Sequence, residues 1–226
     1  MKIQRNVPLK NHTTFRIGGE AKYFCIVKDK KDLIEAVIFA RKTKLPFFIL
    51  GGGSNLLVSD GGYNGLVIKI QNTKYKILNT KMMAGAGVSL TKLVAVTAKA
   101  GLSGMEWAAG IPGATVGGAV RGNAGAFETE MKDIAKTVTV LVIRNSKLEI
   151  KKFKNKDCQF EYRSSIFKKN PNFVILSCEL QLKKGKKEKV FKKIKEVLNY
   201  RKAKHPKEPS AGSIFNATRR SSRVSS

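Results

Sequence analysis

The stretch that decides the fold is Trp107–Ala126, which reads WAAGIPGATVGGAVRGNAGA. From Gly104 to Gly125, glycine recurs too often for a regular helix or strand. Because glycine lacks a side chain, the backbone of such a segment can approach a flat or phosphorylated ligand closely. The other apolar residues are small enough to lie against an aromatic ring system. These properties favour a ligand-binding loop over a glycine-rich loop that binds nothing.

A second glycine turn lies upstream, at Gly51-Gly52-Gly53, and is followed by Ser54 and Asn55. Its backbone N–H groups can converge on a phosphate, and the two polar residues add side-chain donors. The turn is not a P-loop, because no Gly-Lys-Ser or Gly-Lys-Thr follows it. It also lacks the third glycine and the helix opening of a dinucleotide fingerprint. Taken alone, it is equally compatible with a tight turn and with an anion site.

Hydrophobic periodicity around these loops predicts a mixed α+β fold. A helix over Asp32–Lys44 joins two strands in a β-α-β unit, and the second strand, Phe47–Leu50, reads as buried. The apolar residues predicted on one face of this helix are Leu33, Ile34, Val37 and Ile38. Further strands are predicted at Leu66–Ile70, Lys76–Ala84, Thr137–Ile143, Leu148–Phe153 and Phe173–Lys183. A helix is predicted over Leu90–Ala100, with Ser89 as its N-cap, and another over Val190–Leu198. The apolar residues expected on one face of the latter helix are Val190, Phe191, Ile194, Val197 and Leu198.

The order of these elements predicts two lobes and the beginning of a third domain. We expect the lobes at residues 1–72 and 73–185, and the start of the third domain at 186–226. Asn145-Ser146 is predicted to form a hairpin turn. The last residues, 216–226, offer nothing to bury and read as a disordered tail.

The charge of the chain is its most unusual property. Lys and Arg total 44 against 16 Asp and Glu, which gives a net charge of +28. Such an excess attracts nucleic acid, anionic membranes and anionic small molecules. The sequence has no nucleic-acid motif, and aromatic residues are not interleaved with the densest basic run, Lys183–Lys204. A solvated basic surface is therefore favoured. A nucleic-acid-binding protein is the alternative, which predicts steeply salt-dependent binding.

Cysteine, histidine and the amino terminus narrow the class further. The three cysteines are far apart and odd in number, so they form neither a disulfide framework nor a metal knuckle. The two histidines are too isolated for a metal site. Met1–Lys10 lacks the apolar core of a signal peptide, and no stretch approaches the length of a membrane span. We expect a cytoplasmic protein without a membrane partner.

Several sequence blocks, in a fixed order, resemble the UDP-N-acetylenolpyruvoylglucosamine reductase family. Any one block would be weak evidence, but together they span residues 11–215 and are highly specific. The matching blocks are Asn11–Gly19 (NHTTFRIGG), Gly51–Leu57 (GGGSNLL), Gly110–Gly113 (GIPG), Val116–Ala119 (VGGA), Asn123–Ala126 (NAGA), Tyr162–Lys168 (YRSSIFK) and Pro209–Phe215 (PSAGSIF).

The resemblance implies an α+β flavoprotein fold of the vanillyl-alcohol-oxidase or p-cresol-methylhydroxylase type. FAD would lie between the two lobes, and a third domain would close over the substrate. The implied activity is reduction of UDP-N-acetylglucosamine enolpyruvate to UDP-N-acetylmuramate in peptidoglycan biosynthesis, with NADPH as the electron donor. By the same resemblance, the residues that contact FAD are Gly51, Gly52, Gly53, Ser54, Asn55, Gly110, Ile111, Pro112, Gly113, Thr115, Val116, Gly117, Gly118, Asn123, Ala124 and Gly125.

The resemblance also implies two catalytic residues, Arg163 and Ser213, which bind the substrate together with Tyr162. A guanidinium stabilises the enolate and carboxylate charge that develops when hydride adds to the enol ether. From the sequence alone, a surface salt bridge is the alternative for Arg163. Ser213 matches the serine of the family that protonates the enolate carbon. Tyr162 is expected either beside the substrate or as a packed strand aromatic. The short segment between Arg163 and Phe173 matches the branch of the family without an extra substrate-covering loop.

The match to the family stops at Phe215. The sequence shows no counterpart of the family's carboxyl-terminal segment, including the glutamate that partners the arginine. We therefore expect a truncated or frame-shifted reading, and an inactive FAD-binding remnant is the alternative function. Another flavin oxidase of the same fold is a further alternative. That function would give no reason for Tyr162-Arg163-Ser164 and Ser213 to occur together. We expect a monomer.

Overall fold

Two β-sheets form the framework of the protein, whose structure is a computed structural model that describes residues 1–144 and 147–212. The predicted turn at residues 145–146, the predicted tail at 216–226 and Ser213 lie outside the described residues. Within residues 1–144 and 147–212, no helix combines the length and the apolar character needed to cross a membrane.

The first sheet is built from the first four strands of the chain. They and the first helix are β1 (Ile3–Pro8), β2 (Glu20–Val27), α1 (Lys30–Lys42), β3 (Phe47–Leu50) and β4 (Tyr63–Ile70). The strand order is β1-β2-β4-β3, with β1 antiparallel to β2 and with β4 parallel to both of its neighbours. The carboxyl ends of β2, β3 and β4 therefore meet at one edge of the sheet, which is where ligands bind in open α/β sheets.

The position of β3 in this sheet differs from the sequence prediction. The strand Phe47–Leu50 is not fully buried, because β4 inserts beside β2 and leaves β3 at the edge, where Phe48 is 37% exposed.

Helix α1 begins earlier and buries a partly different face than predicted. Asp29 caps its first turn by accepting a hydrogen bond from the Asp32 backbone N–H. The fully buried positions of this helix are Leu33, Ala36, Val37 and Ala40, whereas Ile38 is exposed.

The second part of the chain begins with a hairpin. In chain order, its first elements are β5 (Tyr75–Leu78), β6 (Lys81–Gly85), α2 (Leu90–Lys99) and β7 (Leu102–Ser103). The prediction of one strand over Lys76–Ala84 is wrong, because the chain turns at Asn79, which adopts a left-handed φ of 53°. Ser89 caps α2 as predicted, because its side chain accepts a hydrogen bond from the Lys92 backbone N–H.

The glycine-rich segment contains one short helix. It and the elements that follow are α3 (Val116–Arg121), β8 (Gly125–Ala126), β9 (Thr129–Glu130) and α4 (Met131–Ile134). The expectation that no regular helix forms between Gly104 and Gly125 is therefore wrong over Val116–Arg121. Thr115 caps this helix through its side chain, which accepts a hydrogen bond from the Gly118 backbone N–H. The short length of α3 is consistent with the low helical preference of its two glycines.

The remaining elements complete the second sheet and end in a long helix. They are β10 (Ala135–Arg144), β11 (Lys147–Lys154), α5 (Ile166–Lys169), β12 (Phe173–Gln181), β13 (Lys183–Lys184) and α6 (Lys187–Lys204). The second sheet has the order β11-β10-β12-β6-β5 and is antiparallel throughout. One large apolar cluster joins α1 and the inner face of the first sheet to α2, α3 and the second sheet. This shared core holds the two sheets, and the glycine loops carried by each, in one arrangement.

Helix α6 packs through a narrower face than the sequence predicts. Its only fully buried residues are Val190 and Val197. Phe191 and Leu198, which were expected on the same face, are exposed. Arg201 fixes the far end of the helix, because its Nη2 donates a hydrogen bond to the backbone oxygen of Trp107 over 3.2 Å.

Candidate functional site

The turn from Gly51 to Asn55 has the free hydrogen-bond donors that an anion requires. It follows β3 directly, at the edge where the carboxyl ends of the parallel strands meet. Among the described residues, no backbone N–H from Gly51 to Asn55 finds an acceptor, and the Ser54 and Asn55 side chains make no hydrogen bond. Successive unpaired N–H groups in a loop form a concave anion site. The geometry therefore favours the anion-site interpretation of this turn over a simple tight turn.

The two glycine segments that the sequence singled out pack against each other. A Cβ atom on Gly51 would lie 2.7 Å from Thr115 Oγ1, and a Cβ atom on Gly52 would overlap the backbone oxygen of Gly113. On the other side of the turn, a Cβ on Gly53 would overlap the backbone oxygen of His12. The absence of side chains at these positions is therefore what allows the two loops to meet.

The amino-terminal block Asn11–Gly19 is hydrogen-bonded to the same turn. The backbone N–H of Thr14 donates to the Gly53 oxygen over 3.1 Å, and Thr14 Oγ1 donates to the Ser210 oxygen over 2.7 Å. Thr14 therefore joins Gly53 and Ser210, which come from sequence blocks far apart in the chain. Ser213 itself lies outside the described residues.

A polar pair lies beneath this region. Lys69 Nζ is 3.1 Å from His12 Nδ1, and the His12 ring stacks on Phe24 with centroids 4.5 Å apart. Burial, followed by the neighbouring Lys69 ammonium, lowers the pKa of His12, and burial lowers the pKa of Lys69. A neutral His12 can accept a hydrogen bond from the Lys69 ammonium. The sequence gives no signal of this pair, because nothing in the spacing of residues 12 and 69 brings them together.

Four predicted cofactor residues are exposed along the second glycine segment. They are Gly110, Pro112, Gly113 and Gly118. Gly110 and Gly113 adopt φ values of 74° and 63°, which L side chains rarely adopt. Their exposed backbone leaves a surface that a flat ring system can approach.

Three other predicted cofactor residues are occupied by contacts inside the protein. Val116 is fully buried in the core. The Gly117 backbone N–H donates to the Ala86 oxygen, and a Cβ on Gly117 would lie 2.9 Å from the Ala86 Cβ. Asn123 is fully buried, and both ends of its side-chain amide are hydrogen-bonded to the protein. A cofactor contact by Asn123 would therefore come from its backbone.

Arg163 lies in a tight turn. The backbone N–H groups of Glu161 and Ser164 each donate to the other residue's oxygen over 3.1 Å, which leaves Tyr162 and Arg163 at the tip. Arg163 has a left-handed φ of 54°, a strained backbone conformation that in proteins often marks functional sites. Its guanidinium carbon lies 5.7 Å from the centre of the Tyr162 ring. Within the described residues Arg163 forms no salt bridge, so the salt-bridge alternative is not observed there.

Tyr162 is 61% exposed at the tip of this turn. The interpretation of Tyr162 as a packed strand aromatic is therefore wrong, because residues 162 and 163 lie in the turn and outside any strand. The side chain is available to a ligand.

The structure thus gathers the predicted site residues into two groups. In one group, Gly51–Gly53 pack against Gly113 and Thr115. In the other, the Arg163 turn is tied to Arg121 and Asn123. Helix α3 connects the two groups, since it begins after Thr115 and ends at Arg121.

The described residues fit FAD. The unpaired N–H groups at Gly51–Asn55 suit a diphosphate, and the exposed glycine segment beside them suits a flat ring. The profile of a family described as FAD binding domain matches residues 21–148, which include both segments. The chain therefore carries an FAD-binding domain, as predicted.

The curated relatives decide the family. The chain is 41% identical over 216 residues to the UDP-N-acetylenolpyruvoylglucosamine reductase of Caldanaerobacter subterraneus subsp. tengcongensis, covering 95% of this chain and 70% of that protein. The chain belongs to the UDP-N-acetylenolpyruvoylglucosamine reductase family. A solved structure of this family, from Thermus caldophilus, superimposes with a TM-score of 0.77 at 35% identity, covering 96% of this chain and 75% of that chain.

A more distant structural neighbour confirms the fold class. A cholesterol oxidase from Brevibacterium sterolicum superimposes with a TM-score of 0.61 at 13% identity, covering 80% of this chain and 37% of that chain. At that identity the likeness shows the fold alone. With the FAD-binding domain and the reductase structure, it confirms an α+β flavoprotein fold of the vanillyl-alcohol-oxidase type.

Proposed function

We propose that this chain is an FAD-dependent oxidoreductase that reduces UDP-N-acetylglucosamine enolpyruvate to UDP-N-acetylmuramate for peptidoglycan synthesis, with NADPH as the electron donor. The observation that carries the proposal is a turn at Gly51–Asn55 whose backbone N–H groups find no acceptor among the described residues, connected through α3 to the strained turn that carries Arg163. Membership of the reductase family supports the identity of the substrate.

The Gly51–Asn55 turn would hold the diphosphate of FAD. The charge of the diphosphate is met by backbone N–H dipoles, with the Ser54 hydroxyl and the Asn55 amide as further donors. The exposed backbone of Gly110, Pro112, Gly113 and Gly118 would lie along the rest of the cofactor. FAD bound there would pass a hydride from NADPH to the substrate.

Arg163 would bind the carboxylate of the substrate and stabilise the negative charge that spreads onto it during hydride addition. Two parallel N–H donors of a guanidinium match the two oxygens of a carboxylate. Because Arg163 has no carboxylate partner among the described residues, no existing ion pair has to be broken. Tyr162, exposed beside it, would contact the same ligand. Ser213 stays our predicted proton donor to the enolate carbon.

Three further assignments belong to this proposal. We assign one lobe to residues 1–72 and another to 73–185, supported by the division of the strands into a first and a second sheet, and we propose that a substrate-binding domain begins at residue 186. A monomer is proposed. A cytoplasmic location is supported by the three buried cysteines, which are all free thiols, as is usual in reducing compartments.

The test is a pair of half-reactions followed by visible absorption. The purified chain is expected to show a flavin spectrum, or to acquire one when reconstituted with FAD. Under anaerobic conditions NADPH should bleach the spectrum, and UDP-N-acetylglucosamine enolpyruvate should restore it. A flavin that bleaches but never recovers with substrate would contradict the proposed reaction and indicate a flavin-binding protein without it. A chain that cannot be reconstituted with FAD would contradict the cofactor assignment too.

A further inference from the structure

The turn that carries Arg163 is held in place by a buried amide. Asn123 Nδ2 donates to the Glu161 backbone oxygen over 3.0 Å and to Glu130 Oε2 over 3.0 Å. Its Oδ1 accepts a hydrogen bond from the Lys132 backbone N–H over 3.0 Å. The side chain is 0% exposed, so every hydrogen bond that the amide makes here is to the protein.

Asn123 bonds to the same Glu161 oxygen that closes the Arg163 turn. The Glu161 oxygen accepts the Ser164 N–H as well as Asn123 Nδ2, and a carbonyl oxygen has two lone pairs to share between them. The Asn123 amide therefore fills the second acceptor position of the same oxygen that closes the turn. Because Arg163 sits between Glu161 and Ser164 with φ 54°, its strained conformation depends on this closure.

A second buried side chain ties the other end of the turn. Ser165 Oγ donates to the Arg121 backbone oxygen over 2.7 Å, and Ser165 is 0% exposed. Arg121 is the last residue of α3, and Asn123 follows it by two positions. The residues on both sides of Arg163 are thus fixed to the end of the segment that carries the exposed glycines. This connection fixes the Arg163 turn relative to the exposed glycine segment.

Resting on the proposed function, we propose that Asn123 is a positioning residue for Arg163. Its amide locks the Glu161–Ser164 turn to the carboxyl end of α3, so that the guanidinium is presented to the substrate carboxylate at a fixed distance from the flavin. Glu130 orients the amide by accepting its second N–H, and Lys132 Nζ, 2.8 Å from Glu130 Oε2, neutralises that carboxylate. Ser165 is the second tie of the same turn.

The test compares Asn123→Ala with a control at a half-buried, hydrogen-bonded amide elsewhere in the protein. Gln181 is suitable, because its Nε2 donates to Thr80 and to the Leu182 oxygen at the β5–β6 end of the second sheet. In Asn123→Ala we expect flavin reduction by NADPH to be unchanged, while reoxidation by the enolpyruvyl substrate slows about tenfold or more. Gln181→Ala should leave both half-reactions unchanged. Equal slowing of the two half-reactions in Asn123→Ala would overturn the proposal.

A second readout does not depend on activity. Because the Ser164 amide is protected by its bond to Glu161, its hydrogen exchange should accelerate about tenfold or more in Asn123→Ala, and not in Gln181→Ala. Unchanged exchange at Ser164 would overturn the proposal even if turnover fell. If the wild-type chain fails to reoxidise with substrate, the proposed function fails, but the exchange result still decides the role of Asn123 in the turn.

A milder variant keeps the proposal testable if Asn123→Ala does not fold. Ser165→Ala removes only the bond to the Arg121 oxygen and leaves the Asn123 amide intact. It should show the same separation, with flavin reduction preserved and both reoxidation and Ser164 protection reduced. Restoration of both properties in Ser165→Thr, which keeps the hydroxyl, would identify the bond as the cause. Normal reoxidation and protection in Ser165→Ala would contradict a turn held from both ends.

Discussion

Gly52 and Gly113 approach so closely that a Cβ atom on Gly52 would overlap the backbone oxygen of Gly113. The first residue belongs to the turn after β3, and the second belongs to the glycine segment before α3. The proposed flavin surface thus draws on two parts of the chain whose backbones are in direct contact. This contact makes several properties of the site measurable.

Gly52→Ala should separate the two glycine loops. The added methyl group meets backbone, which cannot rotate away, so we expect a destabilisation of about 1–3 kcal/mol, as in other overpacked sites. FAD affinity, measured by titration of the apoprotein, should fall about tenfold or more. Gly61→Ala is the matched control, because a Cβ there lies 3.7 Å from its nearest neighbour, Ser59 Oγ. A Gly52→Ala protein with normal FAD affinity would show that the contact between the loops does not shape the site.

Gly118→Ala should raise the stability of the apoprotein and weaken its binding of FAD. A Cβ at Gly118 fits, with Thr115 Oγ1 3.5 Å away, and alanine in a helix is favoured over glycine by about 0.5–1 kcal/mol. Thermal unfolding of the apoprotein should therefore shift upward, while FAD binding weakens because the methyl group intrudes on the cofactor surface. Gly122→Ala, at the end of α3 and outside the predicted cofactor set, is the control. Equal FAD affinity in both variants would remove Gly118 from the cofactor surface.

Arg163→Ala should block one half-reaction only. FAD binding and reduction by NADPH should be retained, and reoxidation by the enolpyruvyl substrate should slow by about 10²–10³-fold, the usual effect of removing an oxyanion-stabilising donor. Arg5→Ala is a matched control, because the Arg5 guanidinium also lies over a tyrosine ring, at 5.4 Å from the centre of Tyr23. If Arg163→Ala loses FAD, Arg163 has a structural role instead.

His12 should make the protein less stable in mild acid. Burial, and then Lys69, lower the pKa of His12 in the folded state below its ordinary value of 6.5. Between these two values the unfolded chain binds the proton more readily, so this contribution to stability is complete above pH 6.5 and is lost as the pH falls below it. In His12→Phe, which preserves the stack on Phe24, the loss of stability between pH 7.5 and pH 5 in urea unfolding should be smaller. A His205→Phe protein, altered at an exposed position, should follow the wild type. The same pH slope in His12→Phe and wild type would contradict this account.

The three cysteines should resist thiol reagents until the protein unfolds. Burial raises the pKa of Cys25 to about 11 and that of Cys158 to about 12, and it raises the pKa of Cys178 further. Because the thiolate is the reactive form, labelling of the native protein at pH 8 should be negligible and should become complete in denaturant. Rapid labelling of one cysteine under native conditions would reveal local opening around that residue.

Part of the architecture could be predicted from the sequence because its signals are local. The cap at Ser89 is encoded next to α2, and the apolar spacing of Leu33 and Val37 is encoded within α1. Both predictions are confirmed. The hairpin inside Lys76–Ala84 was missed because its turn at Asn79 interrupts an otherwise continuous β-like run. The edge position of β3 was missed because it depends on β4, which is inserted from later in the chain.

The candidate site likewise has a part that could be predicted from the sequence and a part that could not. The proposed anion site is made of main-chain groups, and consecutive glycines are a local sequence signal for such a site. The assignment of Asn123 to the cofactor came from the resemblance, whereas its hydrogen bond to Glu161 depends on a contact between residues distant in sequence. Asparagine at the end of a glycine-rich segment gives no signal of its distant partner. The pairs Ser165–Arg121 and Lys69–His12 are non-local for the same reason.

The parallel pairing of β3 with β4 has a consequence for how the protein matures. The Gly51–Asn55 turn takes its shape only after Phe47–Leu50 has paired with Leu66–Lys69, and its other wall, Gly113, is synthesised later still. With the FAD site as proposed, a nascent chain on the ribosome would be unable to bind FAD until the second glycine segment has emerged. Cofactor loading would then be a late event in biogenesis, and a chain released before Gly113 would remain colourless.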